Sequence, residues 1–203
     1  MEYANGVFRQ VELHDKYVIK SILVDGSEDY SDSSCSIYSD ATPEECMDCQ
    51  ANELGTWRDF PNNSALCPIL EQSTLEHIYM PRAFTIDDMV SYHIDKYSDD
   101  KYEPEIEEYF GNTNLSKFCR DRINTAITVM VDFSEKIALG KVNYKDFIKG
   151  LSEIYVKNVN VFYNIVEDLH VHNVGILDGR IVVIDYAGCE SMYNWEEIND
   201  EVE

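Results

Sequence analysis

The chain has 203 residues, 44% of them apolar, which is enough for a real hydrophobic core in one domain or two small lobes. Its 39 acidic and 16 basic residues leave a net charge of −23, which disfavours electrostatic binding to nucleic acid or anionic membrane and favours basic partners or simple solubility. Fourteen Tyr and eight Phe argue against global disorder, no apolar run approaches the roughly 18 residues of a membrane span, and the start Met1-Glu2-Tyr3-Ala4 lacks the marks of a signal peptide, so a cytosolic protein is expected.

In chain order, Phe8 to Val24 has strand character, rich in Val, Ile and Tyr, with a turn at His14-Asp15-Lys16. The Ser- and Asp-rich stretch 25–41 has little to bury and predicts a mobile acidic loop. Thr42-Pro43-Glu44-Glu45 is a helix start, with Thr as N-cap and Pro in the first helical position, and predicts a helix over 43–58. Cys46, Cys49, Glu53 and Trp57 fall on one face of that helix, so Glu53 is a carboxylate among apolar neighbours and wants a cationic partner. Six cysteines are scattered along the chain; Cys46 and Cys49 form a C-x-x-C with no second pair to complete a zinc site, and read as buried thiols.

Two strands are expected around Ile69–Gln72 and His77–Met80, followed by a break at Pro81 and an acidic, irregular region over 85–112. Leu115 to Leu139 predicts an amphipathic helix with Leu115, Phe118, Cys119, Ile123, Ala126, Ile127, Met130 and Val131 on its inner face, Asn114 as cap and Gly140 as terminator. A second helix runs from about Tyr144 to Val156, and Val161 to Val166 reads as a short apolar strand or extended run.

That run leads into Glu167-Asp168-Leu169-His170-Val171-His172-Asn173, and twelve residues later comes Asp185-Tyr186-Ala187-Gly188. Between them Val174 to Ile184 reads as two short strands around Asp178-Gly179, a strong hairpin signal, which returns Asp185 to the neighbourhood of Asp168. One carboxylate to orient a nucleophilic hydroxyl, with an amide oxygen and a second carboxylate to hold Mg²⁺ on phosphates, is what phosphoryl transfer requires.

With these residues placed, the sequence resembles the protein-kinase-like fold. Lys20, in Tyr17-Val18-Ile19-Lys20, looks like the strand lysine that grips nucleotide phosphates, and Glu53 like its helical partner. Asp168 and Asn173 match the catalytic-loop Asp and Asn, and Asp185 the Asp of Asp-Phe-Gly. The Asp-Leu-His-x-x-Asn loop is similar to that of the small Ser/Thr protein kinases of lytic podoviral bacteriophages. The resemblance implies an α+β, bilobal fold with a β-rich N-lobe over 1–84 and a truncated, mainly helical C-lobe over 85–203, carrying a catalytic loop at 166–173 and a metal-binding hairpin at 174–188. It implies ATP and Mg²⁺ as cofactors and bacterial host proteins as substrates, phosphorylated during takeover or counter-defence.

The sequence departs from the family in three places. Its nucleotide loop has one glycine, Gly6, where the pattern has three, with Arg9 available for added charge. Val166-Glu167-Asp168 replaces His-Arg-Asp, and the chain stops soon after Gly188, so peptide recognition is expected to use other surfaces. Because Pro81 has no N–H, the expected adenine contacts are the Met80 carbonyl and the Arg82 amide. His170 and His172 flank the loop, and either phosphate contact or local hydrogen bonding would suit them. Two other readings stand beside the kinase: a pseudokinase that binds a basic target through its acidic surface, and a small-molecule phosphotransferase of aminoglycoside-kinase type.

Overall fold

A computed structural model describes residues 2–5, 9–22, 43–89, 101–111, 113 and 115–186. Gly6, the Ser- and Asp-rich segment 25–41, Thr42, Asn114 and Gly188 lie outside these residues.

The fold is α+β. Strands β1 (Glu2–Asn5), β2 (Arg9–Leu13), β3 (Tyr17–Ile22) and β4 (His77–Pro81) form an antiparallel sheet in the order β1-β2-β3-β4. The β2–β3 turn is closed by His14 N–H donating to the Tyr17 carbonyl at 3.0 Å, with the two rings stacked 4.4 Å apart. Helix α1 (Pro43–Asp59) packs on β3 and buries Cys46, Cys49, Gln50, Glu53 and Thr56 on one face. Cys46 and Cys49 are thiols on that face, as the one-turn spacing predicts.

Only one of the two strands expected after α1 forms. Residues 69–72 make a turn, with Ser73 N–H donating to the Leu70 carbonyl at 3.0 Å; Leu70 N–H donating to the Tyr79 carbonyl at 2.8 Å and Tyr79 N–H donating to Ser73 Oγ at 2.9 Å tie that turn to β4 without a strand ladder. Glu71 and Gln72 are exposed, so the alternation that a paired strand needs stops there.

The helical half contains α2 (Glu103–Phe110), α3 (Lys117–Lys136), α4 (Tyr144–Lys157) and α5 (Val159–Glu167). Ser116, not Asn114, caps α3, its Oγ accepting from Cys119 N–H at 3.3 Å. The chain reverses after α3 at Ala138, with φ 55°, two residues before the expected Gly140. The inner face of α3 is as predicted except at Phe118, which is 44% exposed.

Val161 to Val166 is helical, not extended. Asn158 ends α4 and begins α5: its N–H donates to the Ile154 carbonyl at 2.7 Å, and its side chain accepts from Val161 N–H at 3.3 Å. Phe162, Ile165 and Val166 then fall together on the buried side. The β-branched residues that favour a strand are overridden by the cap and by this 3/4 spacing.

The β5 (Val174–Leu177) and β6 (Arg180–Val183) hairpin turns at Asp178 and Gly179, with φ 50° and 75°, the double left-handed conformation of a type I′ turn. It lies against α3 and α4. Phe84 N–H donates to the Ile176 carbonyl at 2.9 Å, Ile176 N–H returns a bond to the Phe84 carbonyl at 2.8 Å, and Cys67 N–H donates to the Val183 carbonyl at 2.9 Å. The buried apolar side chains form one contiguous cluster running from Ile78 and Met80 of β4 through Val174–Val183 to the helices. Ala83 belongs to the same cluster.

Candidate active site

Lys20 sits at the middle of β3, opposite Val11 on one side and Ile78 on the other, and is only 5% exposed. Its ammonium donates to Glu53 Oε1 at 2.7 Å and to the Ile184 carbonyl at 2.6 Å, and stands 3.8 Å from Asp185 Oδ1. Glu53 is fully buried on α1 and also accepts from Tyr186 N–H at 3.5 Å. A buried carboxylate of this kind is tolerable only when paired and hydrogen-bonded. Tyr186 is buried as well, its hydroxyl donating to the Cys67 carbonyl at 2.9 Å, which pins the chain just after Asp185.

Asp168 caps the C-terminus of α5, and its side chain is about half exposed. Asn173 Nδ2 donates to the Asp168 carbonyl at 3.0 Å and to its Oδ2 at 2.9 Å. Both partners are acceptors, so the nitrogen must face them and the amide oxygen takes no part in these two bonds.

One residue, Ile184, joins the two groups through its backbone. Ile184 N–H donates to the Asn173 carbonyl at 2.8 Å, while the Ile184 carbonyl accepts from Lys20. The β5–β6 register, with Val174 opposite Val183, puts Asn173 and Ile184 side by side. Five of the residues singled out in the sequence, Lys20, Glu53, Asp168, Asn173 and Asp185, therefore belong to one connected network of hydrogen bonds and ion pairs, which Asp185 joins through its 3.8 Å contact with Lys20.

Among the described residues no cluster of three or more His, Cys, Asp or Glu side chains is placed to hold an ion alone. A carboxylate and an amide oxygen, Asp185 and Asn173, fit Mg²⁺, which takes its remaining ligands from phosphate and water.

The expected adenine contacts do not fit the sheet register. Arg82 N–H donates to the Lys16 carbonyl at 3.0 Å, and Ile22 N–H to the Glu76 carbonyl at 3.4 Å. By the alternation of an antiparallel ladder, Met80 then pairs with Val18 and turns its carbonyl into the sheet. The Arg82 guanidinium is also engaged, with Asp88 at 2.6 Å and the His14 carbonyl at 3.2 Å. Met80 itself is a buried wall residue. Arg9 opens β2 opposite Ile22.

Asp87 carried no sequence signal. His172 Nδ1 lies 3.0 Å from its Oδ1, tying the 168–173 segment to the 3-10 turn Ile86–Asp88 that follows β4. His170 Nδ1 accepts from His172 N–H at 3.3 Å, and its Nε2 lies 3.8 Å from Asp168 Oδ1. Burial, reinforced by His172 and Arg122, holds the His170 pKa below its usual 6.5, so near neutral pH the ring is uncharged, with its proton on Nε2. Burial pushes the Glu167 carboxyl upward and raises the Cys67 thiol to about 12, leaving that sulfur protonated.

No protein-family model and no curated protein matches the chain. Among solved structures it is similar to an ADP-bound crystal structure of aminoglycoside phosphotransferase APH(2'')-Ib, at 16% identity and a TM-score of 0.38, over 92% of this chain and 65% of that one.

Proposed function

We propose that the chain is a Mg²⁺-ATP-dependent phosphotransferase acting on Ser or Thr hydroxyls of proteins, with bacterial host proteins as its targets in a phage infection. The observation that carries this reading is the backbone of Ile184, whose N–H and carbonyl link the Asp168–Asn173 pair to the Lys20–Glu53 pair. A structural ion pair needs no such link to an exposed carboxylate on another element.

ATP supplies the transferred γ-phosphoryl group and Mg²⁺ neutralises its charge. Lys20 uses two of its three N–H donors on Glu53 and Ile184, leaving one for phosphate oxygen on the Asp185 side. Asp185 and Asn173 Oδ1 would hold the metal. Asp168 accepts a hydrogen bond from the acceptor hydroxyl and takes its proton as the oxygen bonds to the γ-phosphorus and the bond from that phosphorus to the β–γ bridging oxygen breaks, releasing ADP. The adenine edge falls to the Pro81 carbonyl, which faces away from β3 on the outer edge of β4 and lies 3.6 Å from Cys67 Sγ, and to the Ala83 amide two residues beyond the strand, whose N–H has no backbone partner among the described residues.

The test incubates purified protein with labelled ATP, Mg²⁺ and bacterial lysate, beside the Asp168→Ala protein. Labelled protein bands with wild type, reduced at least about 100-fold in the variant, are expected. A labelled small product points instead to a small-molecule phosphotransferase. No turnover by wild type leaves a binding protein, a pseudokinase that holds a basic target.

A further inference from the structure

Beside the catalytic-loop segment lies a recess of about 300 Å³ that the transfer chemistry does not use. Its floor is Ala126 of α3 and Leu169, both buried, and its walls include Phe118, Arg122, His170 and Val171. The surface it presents is mainly apolar. Phe118 stands at its mouth, an aromatic ring left 44% exposed on a helix whose other large apolar residues are mostly buried.

Arg122 does not make the recess a charged site. Its guanidinium lies 5.1 Å over the Phe118 ring and donates to the Leu169 carbonyl at 3.4 Å, so it serves as a flat wall. His170 forms part of the same wall, and its Nε2 is 3.8 Å from the Asp168 carboxylate. A group seated in the recess is therefore separated from Asp168 by one side chain.

We propose that this recess is an acceptor subsite that takes a large apolar side chain, aromatic or aliphatic, of a polypeptide substrate and thereby brings a neighbouring Ser or Thr hydroxyl to Asp168. The inference rests on the phosphotransferase reading above and specifies its substrate. Three features select the occupant. The volume is at the bottom of the roughly 300–1,000 Å³ range of ligand pockets, enough for one side chain while the rest of the acceptor lies outside. A single carboxylate, Asp121, lines the recess, so it cannot satisfy the many amines and hydroxyls of an aminosugar. Asp121, Asp168 and the net charge of −23 favour basic residues elsewhere on the same peptide.

A Ser/Thr-centred peptide library, varied at each neighbouring position and phosphorylated by the full chain with labelled ATP, tests this. Phe, Tyr, Leu or Met should be enriched at one fixed offset from the acceptor, with Lys or Arg favoured outside it. In a cycle with the best peptide, Phe118→Ala in the protein and Ala at the anchor position of the peptide should each raise KM about tenfold, the scale of one large buried apolar side chain, and together still about tenfold. The filling variant Thr125→Trp should raise KM for the anchored peptide in the same way.

Phosphorylated peptides with no apolar preference, or additive effects near a hundredfold, would overturn the subsite and leave phosphoryl transfer standing. No transfer to any peptide would overturn the protein-substrate reading, and the subsite with it. A concentration-dependent dimer abolished by Phe118→Ala, with a flat library, would assign the recess to a second copy of the chain.

Discussion

Lys20 and Glu53 are where the proposed catalysis and stability are hardest to separate. Both are buried and each is the other's charged partner. Lys20→Met strands a fully buried carboxylate and should cost about 3–5 kcal/mol. A loss of activity in that variant alone would therefore say little about the nucleotide. In Lys20→Met/Glu53→Leu no charge is stranded, and much of the stability should return while phosphoryl transfer stays absent. Urea melts of the three proteins check this, and a double variant no more stable than the single would contradict it.

His170 carries a pH signature. Its folded pKa lies below the usual 6.5, so as pH falls through that value the unfolded chain takes up a proton before the folded one does. The stability it contributes is complete above 6.5 and is lost as pH falls toward the folded pKa. Wild type should thus lose more thermal stability than His170→Gln over that acid window, and parallel losses would rule the effect out. The ring is partly exposed, so the difference should be small.

At the level of elements, strand register bears on the proposed adenine contacts. Pro81 was correctly legible as a residue without an N–H, but the sequence does not say which edge of β4 each neighbour faces. Arg82 N–H bonded to Lys16 fixes that for Arg82, and the proposed donor is therefore Ala83. An ATP analogue with carbon in place of N1 lacks the acceptor for this amide and should bind about tenfold more weakly, the worth of one hydrogen bond. Equal affinity would remove Ala83 from the site. Elements with strong local chemistry were legible: the Asp178-Gly179 hairpin, the Pro43 helix start, and the stripes of α3 and α4. Failures came where local preference and packing disagree. The Val-rich α5 reads as a strand until Asn158 is seen capping it, and Phe118 fits the apolar rhythm of α3 yet points out.

On the scale of the whole molecule, −23 charges on 203 residues repel one another. Salt shortens the reach of that repulsion, from roughly 30 Å at 0.01 M to 3 Å at 1 M. The melting temperature should therefore rise with added NaCl, by about 2–4 °C for each kcal/mol of repulsion relieved. A falling melting temperature would mean that attractive ion pairs outweigh the net charge. By itself the sequence determined the chemical inventory: a lysine in a strand, a carboxylate on an apolar helix face, the Asp-x-x-x-x-Asn spacing, and a turn able to bring Asp185 back. These are local properties, set by side-chain type and by periods of two and 3.6 residues. Only the tertiary structure decided that Ile184 links Lys20 to Asn173, that Asp87 holds His172, and that a recess opens beside His170. Those contacts join residues far apart in the chain, and their geometry follows from strand register and core packing, which no local pattern encodes.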